Sequence, residues 1–217
     1  MKYSAETIIK ELAIEEKVAC IYSYGSQVYG TASKYSDHDY IIVAMQSMLN
    51  SGAFKNNAVT SDDGTIQGTV YSRGGFIDAI NNYQMPAMEC ISLPEDMIIM
   101  QKMKLGVSSW NEKEMVKKVV QLASKSRHIA DQQSKSGSSE CRGDLKYRAA
   151  KGMYHSIRIL KFGLQLKEHH KIVDFSASND LYHNMIPRLD TFDMEDFIFD
   201  TREYYDMFEE IKKELES

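Results

Sequence analysis

Cysteine is scarce in this chain. Its three residues, Cys20, Cys90 and Cys141, stand far apart, with no CxxC pair and no zinc-ligand spacing. That pattern argues against a disulfide-stapled fold and fits free thiols in a reducing compartment, so a cytoplasmic protein is expected. Long apolar runs are missing too. Nothing reaches the length needed to span a bilayer, and no membrane partner is expected. Neither sign of charge dominates. A net charge of -5 argues against a protein that coats nucleic acid by bulk positive charge. It leaves room for a local basic patch, because steering depends on where charges sit. There is no internal repeat.

What is present is ordinary for a globular protein of 217 residues, long enough for one large domain or two small ones. The first residues, MKYSAETIIKELAIEEK, read as an amphipathic helix carrying acids and not as a signal peptide. The one low-complexity stretch, QQSKSGSSECRG at 132–143, reads as a flexible loop. Composition and periodicity split the chain into a mixed part, 1–107, and a helical part, 108–217.

In the mixed part, residues 5–16 suit a helix. VACIYSYG suits a buried strand ending at Gly25, and HDYIIVAM suits a second strand. NAVTSDDGTIQGTVYS places the turn SDDG between two β-prone runs, a hairpin signal. Ser72 is positioned to cap a helix through FIDAINNY. MPAMECISL and MIIMQKM are apolar runs that fit either helix or strand; Met85, Met88, Met97, Met100 and Met103 read as core fillers. In the helical part, 109–131, 143–168 and 193–216 show three- and four-residue apolar spacing. The expected architecture is α+β: a small mixed sheet with flanking helices, then a C-terminal helical bundle.

The stretch with chemistry in it is GSQVYGTASKYSDHDYIIV, residues 25–43. In a strand, residues two apart share a face and rise roughly 6.6 Å together. Asp37 and Asp39 therefore aim at one place, with His38 facing the other way. Two converging carboxylates repel unless they are exposed, share a proton or hold a cation. Their oxygens suit Mg²⁺, which often takes substrate phosphates as further ligands. Gly25 lets backbone approach a ligand closely. A short helix starting at Ser26 would aim its N–H groups and a hydroxyl at an anion. Each half alone is a common turn; together they abut predicted strands at matching ends.

Gly-Ser, a short spacer and Ser-Asp-x-Asp entering an apolar strand resemble the DNA polymerase β-type nucleotidyltransferase superfamily. The fuller stretch, with TVYSRGGFIDAINNYQMPAMECISL and YRAAKGMYHSIRIL, is similar to its RNA-repair-associated branch. The resemblance implies a nucleotidyltransferase core over 1–107. It also implies a Mg²⁺- or Mn²⁺-dependent reaction that moves a nucleoside monophosphate from an NTP to an acceptor hydroxyl. The implied acceptor is an RNA end, such as that of tRNA. Asp37 and Asp39 would be the catalytic metal ligands, and Gly25 and Ser26 would seat the phosphates.

Further along, Lys151, His155 and Arg158 fall within roughly 60° on one helix face. Arg142, Lys146 and Arg148 precede them. Such a face meets phosphates or is simply solvated. The branch carries a similar Lys, His and Arg pattern, which adds Lys151, His155 and Arg158 to the nucleotide-binding candidates. His155 could equally be a hydrogen-bonded structural histidine. The remaining histidines show no metal-ligand spacing.

Two features depart from the family pattern. The superfamily draws a third carboxylate from a neighbouring strand, but TIQGTVYS offers Gln67 and no acid. Asp62 and Asp63 read as turn residues. Glu89, an acid inside the apolar AMECI, is the possible third acid, or a brace paired within the fold. Gln27 stands where the branch often has a base, which would weaken phosphate binding. Two alternatives follow: a degenerate protein that binds nucleotide or RNA without chemistry, or an enzyme that transfers the nucleotide to protein. Nothing in the sequence sets an oligomeric state.

Overall fold

A computed structural model of the chain describes residues 3–14, 17–45, 57–135, 142–185 and 202–217. It divides into two compact units, Met1–Trp110 and Asn111–Ser217. The architecture is α+β, with a five-stranded mixed sheet in the first unit and helices making up the second.

The first unit opens with α1 (Ala5–Glu11), whose start is fixed by Ser4: its hydroxyl accepts from the amide of Thr7. The strands are β1 (Val18–Tyr24), β2 (His38–Ala44), β3 (Asn57–Thr60), β4 (Ile66–Ser72) and β5 (Ile98–Gln101), in spatial order β3-β4-β2-β1-β5. β2 is the middle strand, antiparallel to β1 and parallel to β4. That position explains why Tyr40–Val43 is apolar on both faces.

One sheet face packs on α1. Ile8, Leu12, Ile21, Tyr40, Ile42, Ile66 and Val70 form a single buried cluster there. Gly68 lies beneath it; a Cβ would come within 2.8 Å of Leu12 and 3.0 Å of Ile42. The other face carries Tyr22, stacked on Phe76 of α3 (Arg73–Asn81) at 5.9 Å between centroids. Ser72 caps α3 by accepting from Gly75 N at 3.0 Å, as its position predicts. The hairpin also forms: β3 and β4 pair antiparallel around a turn in which Gly64 has φ of 73°.

The two ambiguous apolar runs resolve differently. MPAMECIS is helix α4 (Met85–Ser92), with Pro86 in its first turn, where a missing N–H costs nothing. MIIMQ gives a short 3₁₀ turn and then β5, the strand at one edge. A short helix, α2 (Ser26–Tyr29), lies between β1 and β2.

The second unit contains α5 (Glu112–Lys135), α6 (Arg142–His169), α7 (Asn179–Met185) and α8 (Arg202–Glu216). The expected loop at 132–143 needs correction. α5 runs on through 132–135 and α6 begins at Arg142; 136–141, with Cys141, lie outside the described residues. Among 132–134, Gln132 and Ser134 are exposed, so the Ser-rich composition does not stop the helix. The start of the predicted helix at 193–216 also lies outside; its remainder is α8. α6 packs on α5, α7 and α8. Gly163 makes this possible: a Cβ would come within 2.6 Å of Val119 on α5 and 2.8 Å of Leu215 on α8. Arg127 of α5 pairs with Glu209 of α8, its guanidinium 4.3 Å from the Phe208 ring centre, and the Tyr205 hydroxyl donates to Asp131. No helix among the described residues is long and apolar enough to cross a membrane.

Candidate functional site

The site in the first unit is built where β1 ends and β2 begins. The antiparallel register sets Tyr24 opposite Asp39, so these ends form one edge of the sheet. Directly opposed residues share a face, and Tyr22, two before Tyr24, places that face on the α3 side. Gly25 follows with φ of 70° and ψ of -150°, a conformation essentially confined to glycine. It is also needed for space. A Cβ at Gly25 would overlap the Asp39 carboxylate, standing 3.0 Å from its carboxyl carbon. The Gly-Ser turn and the second aspartate are therefore in contact.

α2 is held from inside. The Tyr29 hydroxyl donates to Glu89 Oε2 at 2.5 Å, with both residues buried. Glu89, only 1% exposed, thus braces α2 from α4. After α2, Ser33 and Ser36 close a tight turn: Ser33 N donates to the Ser36 hydroxyl at 2.9 Å and Tyr35 N to the Ser33 hydroxyl at 3.1 Å. The turn leaves Lys34 and Tyr35 exposed, with the ammonium 4.8 Å from the ring centre.

Asp37 is the last residue before β2, and Asp39 is the second residue in it; both are half-buried. His38 faces the opposite way, its ring edge-on to Tyr3 at 5.0 Å, and burial lowers its pKa. Gln67 of β4 is in register with Asp39, and its side-chain Nε2 donates to Asp37 Oδ2 at 2.5 Å. Asp63 is occupied in the hairpin turn. It accepts from Thr65 N at 3.0 Å and the Ser61 hydroxyl at 2.7 Å, bonds that hold its pKa below the usual value.

Among the described residues, no group of three or more His, Cys, Asp or Glu side chains is placed to hold a metal. The groups at the β2 mouth are two carboxylates and one carboxamide, and glycine at position 25 leaves the space beside its α-carbon to the Asp39 carboxylate. That set fits Mg²⁺ or Mn²⁺, which take one or two carboxylates and complete their shells with water and phosphate.

The candidates of the second unit form a different arrangement from the expected cationic face. Lys151 is exposed, its ammonium 5.9 Å from the Tyr147 ring centre. Arg158 is buried. One of its Nη atoms donates to His155 Nδ1 at 2.6 Å, and the guanidinium lies 5.4 Å from the Tyr154 ring centre and 5.7 Å from that of Phe162. Burial first, then the charges of Arg158 and Lys151, press the His155 pKa down to about 3. At neutral pH His155 is an uncharged acceptor for Arg158. Spacing put these three on one stripe; the apolar neighbours Tyr154 and Phe162 then draw the guanidinium inward.

Sequence reasoning missed two relationships. Gln67 counted as a missing acid, not as the partner of Asp37. The Ser33–Ser36 turn that presents Lys34 and Tyr35 was unread, although its S-x-x-S spacing is the visible signal.

No family model matches this chain, and no curated protein matches it. Among solved structures, it is similar to a nucleotidyltransferase-like protein from Exiguobacterium sibiricum 255-15, with 13% identity over 97% of this chain and 74% of that one, and a TM-score of 0.34.

Proposed function

We propose that the chain is a metal-dependent nucleotidyltransferase. The observation that carries this reading is the contact of Gly25 with the Asp39 carboxylate, which joins the Gly-Ser turn and the Asp-x-Asp pair at one sheet edge. Asp37 and Asp39 would hold Mg²⁺ or Mn²⁺, and Gly25 and Ser26 would seat the phosphates of an NTP. A bound divalent ion supplies Lewis-acid polarisation of the phosphoryl oxygens. The acceptor hydroxyl oxygen bonds to the α-phosphorus as the bond to the bridging oxygen breaks; pyrophosphate leaves with that electron pair, and the hydroxyl proton passes to solvent or a nearby base. Gly25, fixed in its unusual backbone conformation, keeps a side chain out of the space beside Asp39. Buried Tyr29 and Glu89 hold α2, and so Ser26, in register with that edge.

The finer reading takes the acceptor as an RNA end, with Lys151 guiding phosphates from an exposed helix position. Its support is the resemblance of GSQVYGTASKYSDHDYIIV and YRAAKGMYHSIRIL to the RNA-repair branch, which is analogy. Arg158 and His155, held by each other, are better suited to shaping α6 than to meeting phosphate.

A second reading is favoured by one observation. Gln67 stands in register with Asp39 where a third acid would complete the family pattern. A protein with two acids could bind nucleotide without turnover.

The test is incubation with labelled NTPs, Mg²⁺ or Mn²⁺, and total tRNA. Labelled RNA formed by the wild type and lost in Asp37→Ala, with unchanged folding, supports the enzyme. A ligand-induced rise in melting temperature with no product supports the binding protein. Label in protein instead of RNA points to protein as acceptor, and transfer unchanged in Asp37→Ala removes the metal role.

A further inference from the structure

Gln67 lies beside Asp39 in the sheet register, yet its side chain reaches Asp37, with Nε2 to Oδ2 at 2.5 Å. A carboxamide has two unlike ends. Its NH₂ donates to a carboxylate, doing part of what a cation would do there. Its Oε1 is a neutral oxygen that a hard divalent cation accepts as a ligand. The last torsion of a glutamine side chain is broad and roughly two-fold. A half-turn exchanges the two ends without moving the strand.

Resting on the metal reading above, we propose that Gln67 is a third, neutral ligand of the divalent cation. With no cation present, the NH₂ group damps the repulsion between Asp37 and Asp39. With a cation between the two carboxylates, the same group would point a donor at a positive charge; the carboxamide turns and offers Oε1. Two carboxylates and an amide match the charge of a divalent ion without exceeding it. The ion is then held more weakly than by three carboxylates and is retained chiefly with a triphosphate bound beside it.

The opposite role has the opposite signature. An amide locked on Asp37 would compete with the cation for Oδ2, and its removal would tighten binding. The experiment is a Mn²⁺ titration without nucleotide, read by electron paramagnetic resonance and calorimetry, on the full chain and on Gln67→Ala and Gln67→Glu. Mg²⁺ is added in parallel to ¹⁵N-labelled wild type while the Gln67 side-chain NH₂ signals are followed. Expected are several-fold weaker Mn²⁺ binding in Gln67→Ala, at least tenfold tighter binding in Gln67→Glu, and NH₂ signals that move with Mg²⁺. Equal or tighter binding in Gln67→Ala overturns the ligand role while leaving the Asp37–Asp39 site standing. Unmoved NH₂ signals at saturating Mg²⁺ overturn it too, in a protein with no substitution. Absence of any Mn²⁺ binding by wild type, both without nucleotide and in a repeat with a non-hydrolysable NTP, overturns both this proposal and the metal reading beneath it.

Discussion

The carboxylate of Asp39 rests directly against the α-carbon of Gly25, in the space a side chain would fill. Gly25→Ala is therefore penalised twice. The backbone conformation costs about 1–3 kcal/mol for a non-glycine residue, and the added methyl must displace the carboxylate. Urea unfolding should show that loss, and Mn²⁺ titration should show weakened binding. A variant as stable as wild type that binds Mn²⁺ equally would mean this contact shapes nothing.

Tyr29 and Glu89 offer a separation between brace and ligand. Tyr29→Phe removes a hydroxyl that donates to a buried carboxyl group, and should cost about 1.5–3 kcal/mol in chemical unfolding. Glu89→Gln keeps an oxygen able to accept from Tyr29. It should retain Mn²⁺ affinity within about a factor of two if Glu89 braces α2. A loss of affinity comparable to that in Asp37→Asn would make Glu89 a ligand after all.

His155 gives the second unit a dependence on acidity. Its pKa is about 3 in the folded chain and near 6.5 when unfolded. Between those values the unfolded chain binds the extra proton, so stability is full above pH 6.5 and falls as pH drops. The slope approaches about 1.4 kcal/mol per pH unit. Unfolding midpoints from pH 7 to 4 should fall less steeply in His155→Gln than in wild type. Parallel curves would contradict the lowered value.

Lys151 and Arg158 lie on one helix stripe but should behave oppositely. Arg158→Ala removes a buried guanidinium packed beside Tyr154 and Phe162, and should cost about 2–4 kcal/mol. Lys151→Ala, at an exposed position, should stay within about 0.5 kcal/mol of wild type. If Lys151 guides RNA, its loss should weaken tRNA binding at low salt and reduce the salt dependence. Melting curves and filter binding at two salt concentrations measure both; equal affinities at each salt would remove Lys151 from RNA binding.

β1, β2, the β3–β4 hairpin and the Ser72 cap were legible because their signals are local. Gly25 ending an apolar run, Ser72 before a helix, and SDDG between β-prone runs each state their geometry within a few residues. The MPAMECIS segment was not decided, since a short apolar run lacks a readable period and only Pro86 in the first turn marks it as helix. α7 was missed for a similar reason: Asn179–Met185 is too short to establish a stripe. The site was half legible. Asp37 and Asp39 share an edge by strand period, but the Gln67 bond depends on a parallel pairing between residues thirty apart in sequence. The fate of Arg158 was decided by two aromatic neighbours, and charge spacing alone carries no record of them.

β2 has a neighbour on each side, and its residues Ile41, Ile42 and Val43 are shut away from water. A strand so enclosed opens only when its whole unit opens. Amide protons along Ile41–Val43 should therefore exchange with deuterium at the rate of complete unfolding, while those of the Ser33–Ser36 turn exchange sooner. Asp39 is thus anchored at the mouth of a strand that opens only with its unit, and adaptation at this site to a new ligand would have to come through the turn ahead of Asp37.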